Sequence, residues 1–171
     1  AMNRFKFMVS RRNFIASRFL NRLWNRVYLH QQSNSAALNT DDFGKEHRDV
    51  RRKLHETIAK VGDDFSRRLT FNTAIAAIME LTNDLAKLPA NHPQSYAVER
   101  EALNAIVAML SPIAPHICHS LWHVLGHNES VINASWPQVD EQALVRNSIE
   151  MVIQVNGKVR AKLEVAADAN E

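Results

Sequence analysis

Between Ile15 and Leu125 apolar residues return every three or four positions, and from Ile149 they return every second position. The first spacing is that of one face of a helix and the second that of one face of a strand. The chain therefore reads as mainly α, a bundle of about five helices followed by a C-terminal β-hairpin.

The first helix is carried by the pairs Ile15-Ala16, Phe19-Leu20, Leu23-Trp24 and Val27-Tyr28. Arg18, Arg22 and Arg26 fall roughly 150° from that stripe and are expected to form a row in solvent. Residues 31–43 are polar and rich in Ser and Asn, hence a loop. Val50, Leu54, Ile58, Val61, Phe65 and Leu69 then form the seam of a second helix, with Gly62 its weak point at about 1 kcal/mol relative to Ala. Asn72 is expected to cap a third helix, through Ala74, Ile75, Ile78, Met79, Leu81 and Leu85 to Leu88-Pro89. Ser95 is expected to cap a fourth, with Glu99 and Glu101 near its positive end and Leu103, Ile106, Val107 and Leu110 inward. Pro112 ends it, Pro115 opens a fifth helix, and Gly126 closes that one. Four segments follow: 1–13, unassigned, with Ala1-Met2 reading as an expression remnant; the bundle, 14–126; a connector, 127–148, with a helical turn within Asp140–Val145; and the hairpin, 149–171.

In the hairpin Ile149, Met151, Ile153 and Val155 alternate before Asn156-Gly157, and Val159, Ala161, Leu163 and Val165 alternate after it. Asn-Gly favours a two-residue turn, but that register mixes apolar and charged residues on one face. Pairing Val155 with Val159 aligns Ile153 with Ala161 and Met151 with Leu163, and predicts a bulge or odd loop near Gly157.

Cys118 is the only cysteine, so the chain can close no disulfide on itself and fits a reducing, cytoplasmic setting. The stretch from Ala102 to Leu125 is interrupted by Pro112, Pro115 and three histidines, so no membrane span is expected. The net charge of +3 is unevenly spread. Residues 1–70 hold fifteen Lys or Arg against seven Asp or Glu, and residues 71–148 hold three against seven. A basic first half suits a polyanion, because cations that neutralise phosphates release counterions; a solvated helix surface explains it as well.

The string Arg67-Arg68-Leu69-Thr70-Phe71-Asn72-Thr73-Ala74-Ile75-Ala76-Ala77-Ile78-Met79-Glu80-Leu81 resembles the centre of the helical anticodon-binding-type domain of bacterial leucyl-tRNA synthetases. Gln154-Val155-Asn156-Gly157-Lys158-Val159-Arg160-Ala161-Lys162 resembles the opening hairpin of their small C-terminal domain. Between them Ser111-Pro112-Ile113-Ala114-Pro115-His116-Ile117, Leu121-Trp122 and Ala134-Ser135-Trp136-Pro137 are similar to a pattern shared by the leucine, isoleucine and valine enzymes, and the hairpin string singles out leucine. The resemblance runs from Arg18 to Val165. Upstream, Val9-Ser10-Arg11-Arg12-Asn13 departs from it, and His119-Ser120 stands where many relatives carry acidic residues.

The resemblance implies a C-terminal part of a leucine-tRNA ligase that holds tRNA(Leu) for catalytic and editing domains of the same polypeptide. In that family the bundle meets the inner face of the tRNA, the C-terminal domain reaches its outer corner, and the anticodon itself is not read. No cofactor is expected in this chain; ATP and Mg²⁺ would belong to the catalytic domain, whose nucleotide-binding motifs do not occur in the sequence. The chain alone is expected to be non-catalytic, since no nucleophile and base stand in a known motif and no Gly-rich phosphate loop exists. Other classes are a stand-alone helical protein-interaction module, or the equivalent domain of an isoleucine or valine enzyme.

The tRNA-binding candidates are Arg18, Arg22 and Arg26 along the first helix, Arg67 and Arg68 with Asn72 at a helix start, and Lys158, Arg160 and Lys162 on one face of the second strand. An exposed helix face, a helix end and the protective charge of a strand edge explain the same residues. His119, His123 and His127 step by four, yet no metal motif accompanies them. His116 is expected to be buried against a neighbouring helix. Trp24, Trp122 and Trp136 read as core anchors rather than base-stacking platforms.

Overall fold

The computed structural model describes residues 14–33, 36–145, 148–155 and 158–166, and side chains only within 16–33 and 36–145. Residues 1–13 and the Asn156-Gly157 turn, both singled out above, lie outside the described residues. The elements are α1 (Phe14–Gln31), α2 (Lys45–Asp63), α3 (Phe71–Asp84), α4 (Pro93–Leu110), α5 (Pro115–Val124), a short α6 (Glu141–Leu144), β1 (Ser148–Val155) and β2 (Lys158–Ala166). A 3₁₀ turn at Thr40–Asp42 precedes α2, another at Leu85–Lys87 extends α3, and a third at Val131–Asn133 follows α5. Among the described residues no helix is long and apolar enough to cross a membrane.

α4 is the centre of the bundle, in contact with α1, α2, α3 and α5. Its alanines carry burial that a stripe of Leu and Ile does not reveal. From Ala102 to Leu110 every residue except Asn104 is buried, as expected of a helix covered on all sides. Phe19, Leu23 and Val27 of α1 and Val50, Leu54, Ile58 and Val61 of α2 close on it, with Ala74, Ile78 and Leu81 of α3 and Cys118 and Leu121 of α5. Trp24, Trp122 and Trp136 are partly buried and pack against this core.

The seam of α2 stops short of the expected end. Two residues beyond Gly62 the winding widens into a π-helical turn, Asp64–Arg68, which throws the apolar repeat out of phase. Phe65 still leans on the core, but Leu69 adopts a left-handed conformation (φ 53°, ψ 34°) and is exposed.

Both expected N-caps are corrected. α3 begins at Phe71 with Thr70 in the cap position, so Asn72 lies inside the helix and is exposed. α4 is capped by His92, whose side chain accepts from the Gln94 N–H, because Pro93 at the first helical position fixes the start there. Ser95 is buried instead, with its Oγ 2.9 Å from Nε2 of His47. Glu99 and Glu101 stand beyond the first turn, where they serve ion pairs rather than the helix dipole. His116 is also corrected: at the start of α5 its ring faces solvent.

In the antiparallel pair β1–β2, Ile153 is opposite Ala161 and Met151 opposite Leu163. Val155 is opposite Lys158, not Val159, and the register shift falls between Ile153 and Gln154 rather than at Gly157. Arg160 is thus the extra residue of β2, so strict alternation does not carry across it from Lys158 to Lys162.

Candidate nucleic-acid interface

The arginines of α1 do not form an even row. Arg18 and Arg22 are exposed, whereas Arg26 turns toward α4 and donates from Nε to Oε1 of Glu99 at 2.6 Å. Nδ1 of the buried His30 lies 2.9 Å from the other oxygen of Glu99. Burial works against ionisation of Glu99, but the hydrogen bond with His30 and the charge of Arg26 outweigh it and hold the carboxyl below its ordinary value. Arg26 is therefore corrected from a surface cation to one member of an interhelical pair. Arg22 lines an open groove of about 690 Å³ between α1, the end of α3 and α4, together with Asn25, Asn83 and Tyr96.

α2 is basic in sequence and largely compensated in space. Arg51 donates to both oxygens of Glu101, at 2.9 and 3.1 Å, and to Asp140 at 2.7 Å. His55 joins the same cluster. The Asp140 N–H donates to its Nδ1 at 3.1 Å, which leaves Nε2 to donate to Glu101 at 3.2 Å. These contacts fasten the connector onto α2 and α4 just before α6. From sequence, Glu101 reads only as a charge near the positive end of α4 and Asp140 as the start of a helical turn, while Arg51 and His55 carry no role. A signal was present: Arg51 and His55 each follow a seam residue, Val50 and Leu54, and so stand one turn apart on the edge of the apolar stripe. Arg52 meets Asp49 at 2.7 Å and Lys53 meets Glu80 at 3.3 Å. Arg48 is exposed beside them.

The turn between α2 and α3 is different in kind. Arg67 and Arg68 are 83% and 68% exposed in their side chains, and both Nε atoms face the one carboxylate of Asp63, at 3.5 and 2.9 Å. Beneath them Asp64 is buried and accepts from Lys60 at 2.6 Å, Thr73 Oγ1 at 2.8 Å and Thr70 Oγ1 at 3.2 Å. The Lys60 hydrogen bond, reinforced by the two hydroxyls, lowers its pKa. Thr70 donates its hydroxyl to Asp64 and forms no side-chain cap on the N–H groups of α3. Asn72 stands two residues later and is not the cap of the expected phosphate site.

The side chains of Lys158, Arg160 and Lys162 lie outside the described ones. Nε2 of His119 and Nε2 of His123 are 3.2 Å apart, while His127 stacks on Trp122 with ring centroids 3.7 Å apart and meets Asn104 at 3.0 Å. Among the described residues no three His, Cys, Asp or Glu side chains are grouped to hold a metal ion. Among the described residues the cations exposed at the surface include Arg18, Arg22, Arg48, Arg67 and Arg68.

Residues 47–171 match the family described as the anticodon-binding domain of tRNA ligase. A leucine-tRNA ligase of Marinobacter nauticus is 58% identical over 154 residues, 90% of this chain and 18% of that protein. Those of Chromohalobacter salexigens and Alcanivorax borkumensis are 53% and 56% identical, each over 91% of this chain and 18% and 19% of their own lengths. The chain spans less than a fifth of the curated relatives it matches. Among solved structures, the Agrobacterium radiobacter K84 LeuRS in a ternary complex with tRNA and LeuAMS superposes with a TM-score of 0.72 at 31% identity, over 92% of this chain and 20% of that one.

Proposed function

Since the chain belongs to the anticodon-binding domain family of tRNA ligases, we propose that it holds tRNA(Leu) while a catalytic domain of the same polypeptide attaches leucine. The observation that carries the leucine assignment is the run of leucine-tRNA ligases at 50% to 58% identity over about nine tenths of the chain. The arrangement of cations supports the tRNA part, with Arg18 and Arg22 on the outer side of α1 and Arg67 and Arg68 on a fixed turn.

In this reading the bundle contributes binding energy at a distance from the reacting ends and spends it on orienting the acceptor strand. ATP and Mg²⁺ act in the catalytic domain. The protein is cytoplasmic in this reading.

The test is removal of the matching region from a complete leucine-tRNA ligase. Leucyl-adenylate formation, read by pyrophosphate exchange, is expected to persist while charging of tRNA falls at least tenfold, a loss typical of misplaced reactants. Unchanged charging contradicts the proposal.

A further inference from the structure

Building on the tRNA-holding reading, we infer that the turn from Arg67 to Phe71 is a stacking platform for an unpaired nucleotide of the bound RNA. The Phe71 ring offers the face for the base, and Arg67 and Arg68 meet the flanking phosphates.

The turn displays what a folded chain ordinarily hides. Leu69 is 68% exposed and Phe71 48% exposed, side by side with two arginines. Leu69 holds a left-handed φ of 53°, which is costly for a residue with a Cβ and a branched side chain. Beneath it, the Leu69 N–H and the Thr70 N–H both donate to the Asp64 carbonyl, and the Asp64 carboxylate is gripped by Lys60, Thr70 and Thr73. The display is therefore fixed in shape before any partner arrives.

Phe71 is also backed. Its ring lies against Phe65 with centroids 5.3 Å apart, and Phe65 lies against Trp136 at 5.7 Å, so the exposed ring ends a column that reaches the core. A ring held this way loses little freedom when a flat partner settles on it.

Charge selects the partner. Lys60 and Asp64 cancel, Asp63 offsets one arginine, and one positive charge remains at the rim. Nucleic acid supplies flat apolar faces and negative charge together, and a duplex keeps its base faces covered, so the fitting occupant is an unpaired nucleotide.

The experiment titrates the 171-residue chain with a tRNA(Leu) transcript and with a fully paired RNA duplex of similar length, at several salt concentrations. Phe71→Leu is expected to lower affinity for the tRNA on the order of tenfold, with duplex binding and salt dependence unchanged. Phe71→Trp is expected to keep the affinity, and its added indole emission to be quenched by the tRNA and not by the duplex. If Phe71→Leu binds tRNA as tightly as the parent while Arg67→Gln and Arg68→Gln bind less tightly, the inference falls and tRNA holding stands; the exposed tip then belongs to a protein contact. Equal losses on tRNA and duplex also overturn it. Failure of the parent chain to bind tRNA at low salt removes both readings.

Discussion

Arg26 meets Glu99 across the α1–α4 contact at 2.6 Å, and this pair divides a helix face that looks uniform in sequence. Arg22, one turn earlier, is exposed. The two arginines should respond to substitution in opposite ways.

Arg26→Gln leaves the Glu99 carboxylate short of a partner in a half-covered site. A hydrogen bond to a charged group contributes about 1.5–3 kcal/mol, so a drop in stability of roughly that size is expected in urea unfolding. Affinity for tRNA should change little. Arg22→Gln should leave the unfolding midpoint within experimental scatter and weaken tRNA. Equal effects of both on tRNA would return Arg26 to the surface row.

Arg51 ties α2 to Glu101 of α4 and to Asp140 of the connector. Arg51→Met should therefore lower stability by about 1.5–3 kcal/mol and also release the segment ahead of α6. Limited proteolysis should cut between residues 127 and 145 sooner than in the parent chain. Loss of stability without faster cutting there would show that Asp140 is not held by this cluster.

His47 supports a pH prediction. Its Nδ1 accepts from the Gly44 N–H at 3.1 Å, so Nε2 carries the proton that reaches Ser95 at 2.9 Å, and the folded site wants the neutral ring. Burial, aided by the neighbouring His92, lowers its pKa, and His127 is lowered by burial and by Arg100. A depressed histidine contributes stability fully above its unfolded value, about 6.5, and loses it as pH falls through the folded value. The thermal midpoint should fall between pH 7.5 and 5.5, and fall less in His47→Gln. Asp64, Glu99, Glu101 and Asp140 are all lowered as well. Their contribution is present above about pH 4 and is lost only below it, giving a second, separate decline.

Cys118 is fully buried in α5, and burial raises its thiol to about 12. It should resist a disulfide reagent at pH 8 in the native chain and react once in strong denaturant. Rapid native reaction would mean that α5 leaves the core readily.

The helices were legible because their apolar residues keep phase over three or more turns, as Val50, Leu54, Ile58 and Val61 do. What the sequence hid follows from three physical causes. Single-residue propensity chose Asn72 and Ser95 as caps, whereas Pro93 fixed the start of α4 at His92 and the needs of buried Asp64 engaged Thr70. The π-helical turn breaks phase without any Gly or Pro at Asp64–Arg68, so Leu69 was assigned to the seam. The partners of Arg26 and Arg51 lie on α4 and the connector, and only the packed helices bring them together. The same blindness applied to the candidate site, where composition counted cations and could not say which were already compensated.

The account rests on folded RNA being held by the cations that remain at the surface. Titration of the chain with tRNA(Leu) transcript from low to moderate salt tests this most directly, comparing the parent with an Arg22→Gln, Arg67→Gln, Arg68→Gln triple variant. The prediction is a steep, linear fall of log affinity with log salt in the parent, and in the variant weaker binding with the slope reduced by about one for each arginine that meets a phosphate. An equal slope in both proteins, or no binding at low salt by a folded parent chain, would contradict it.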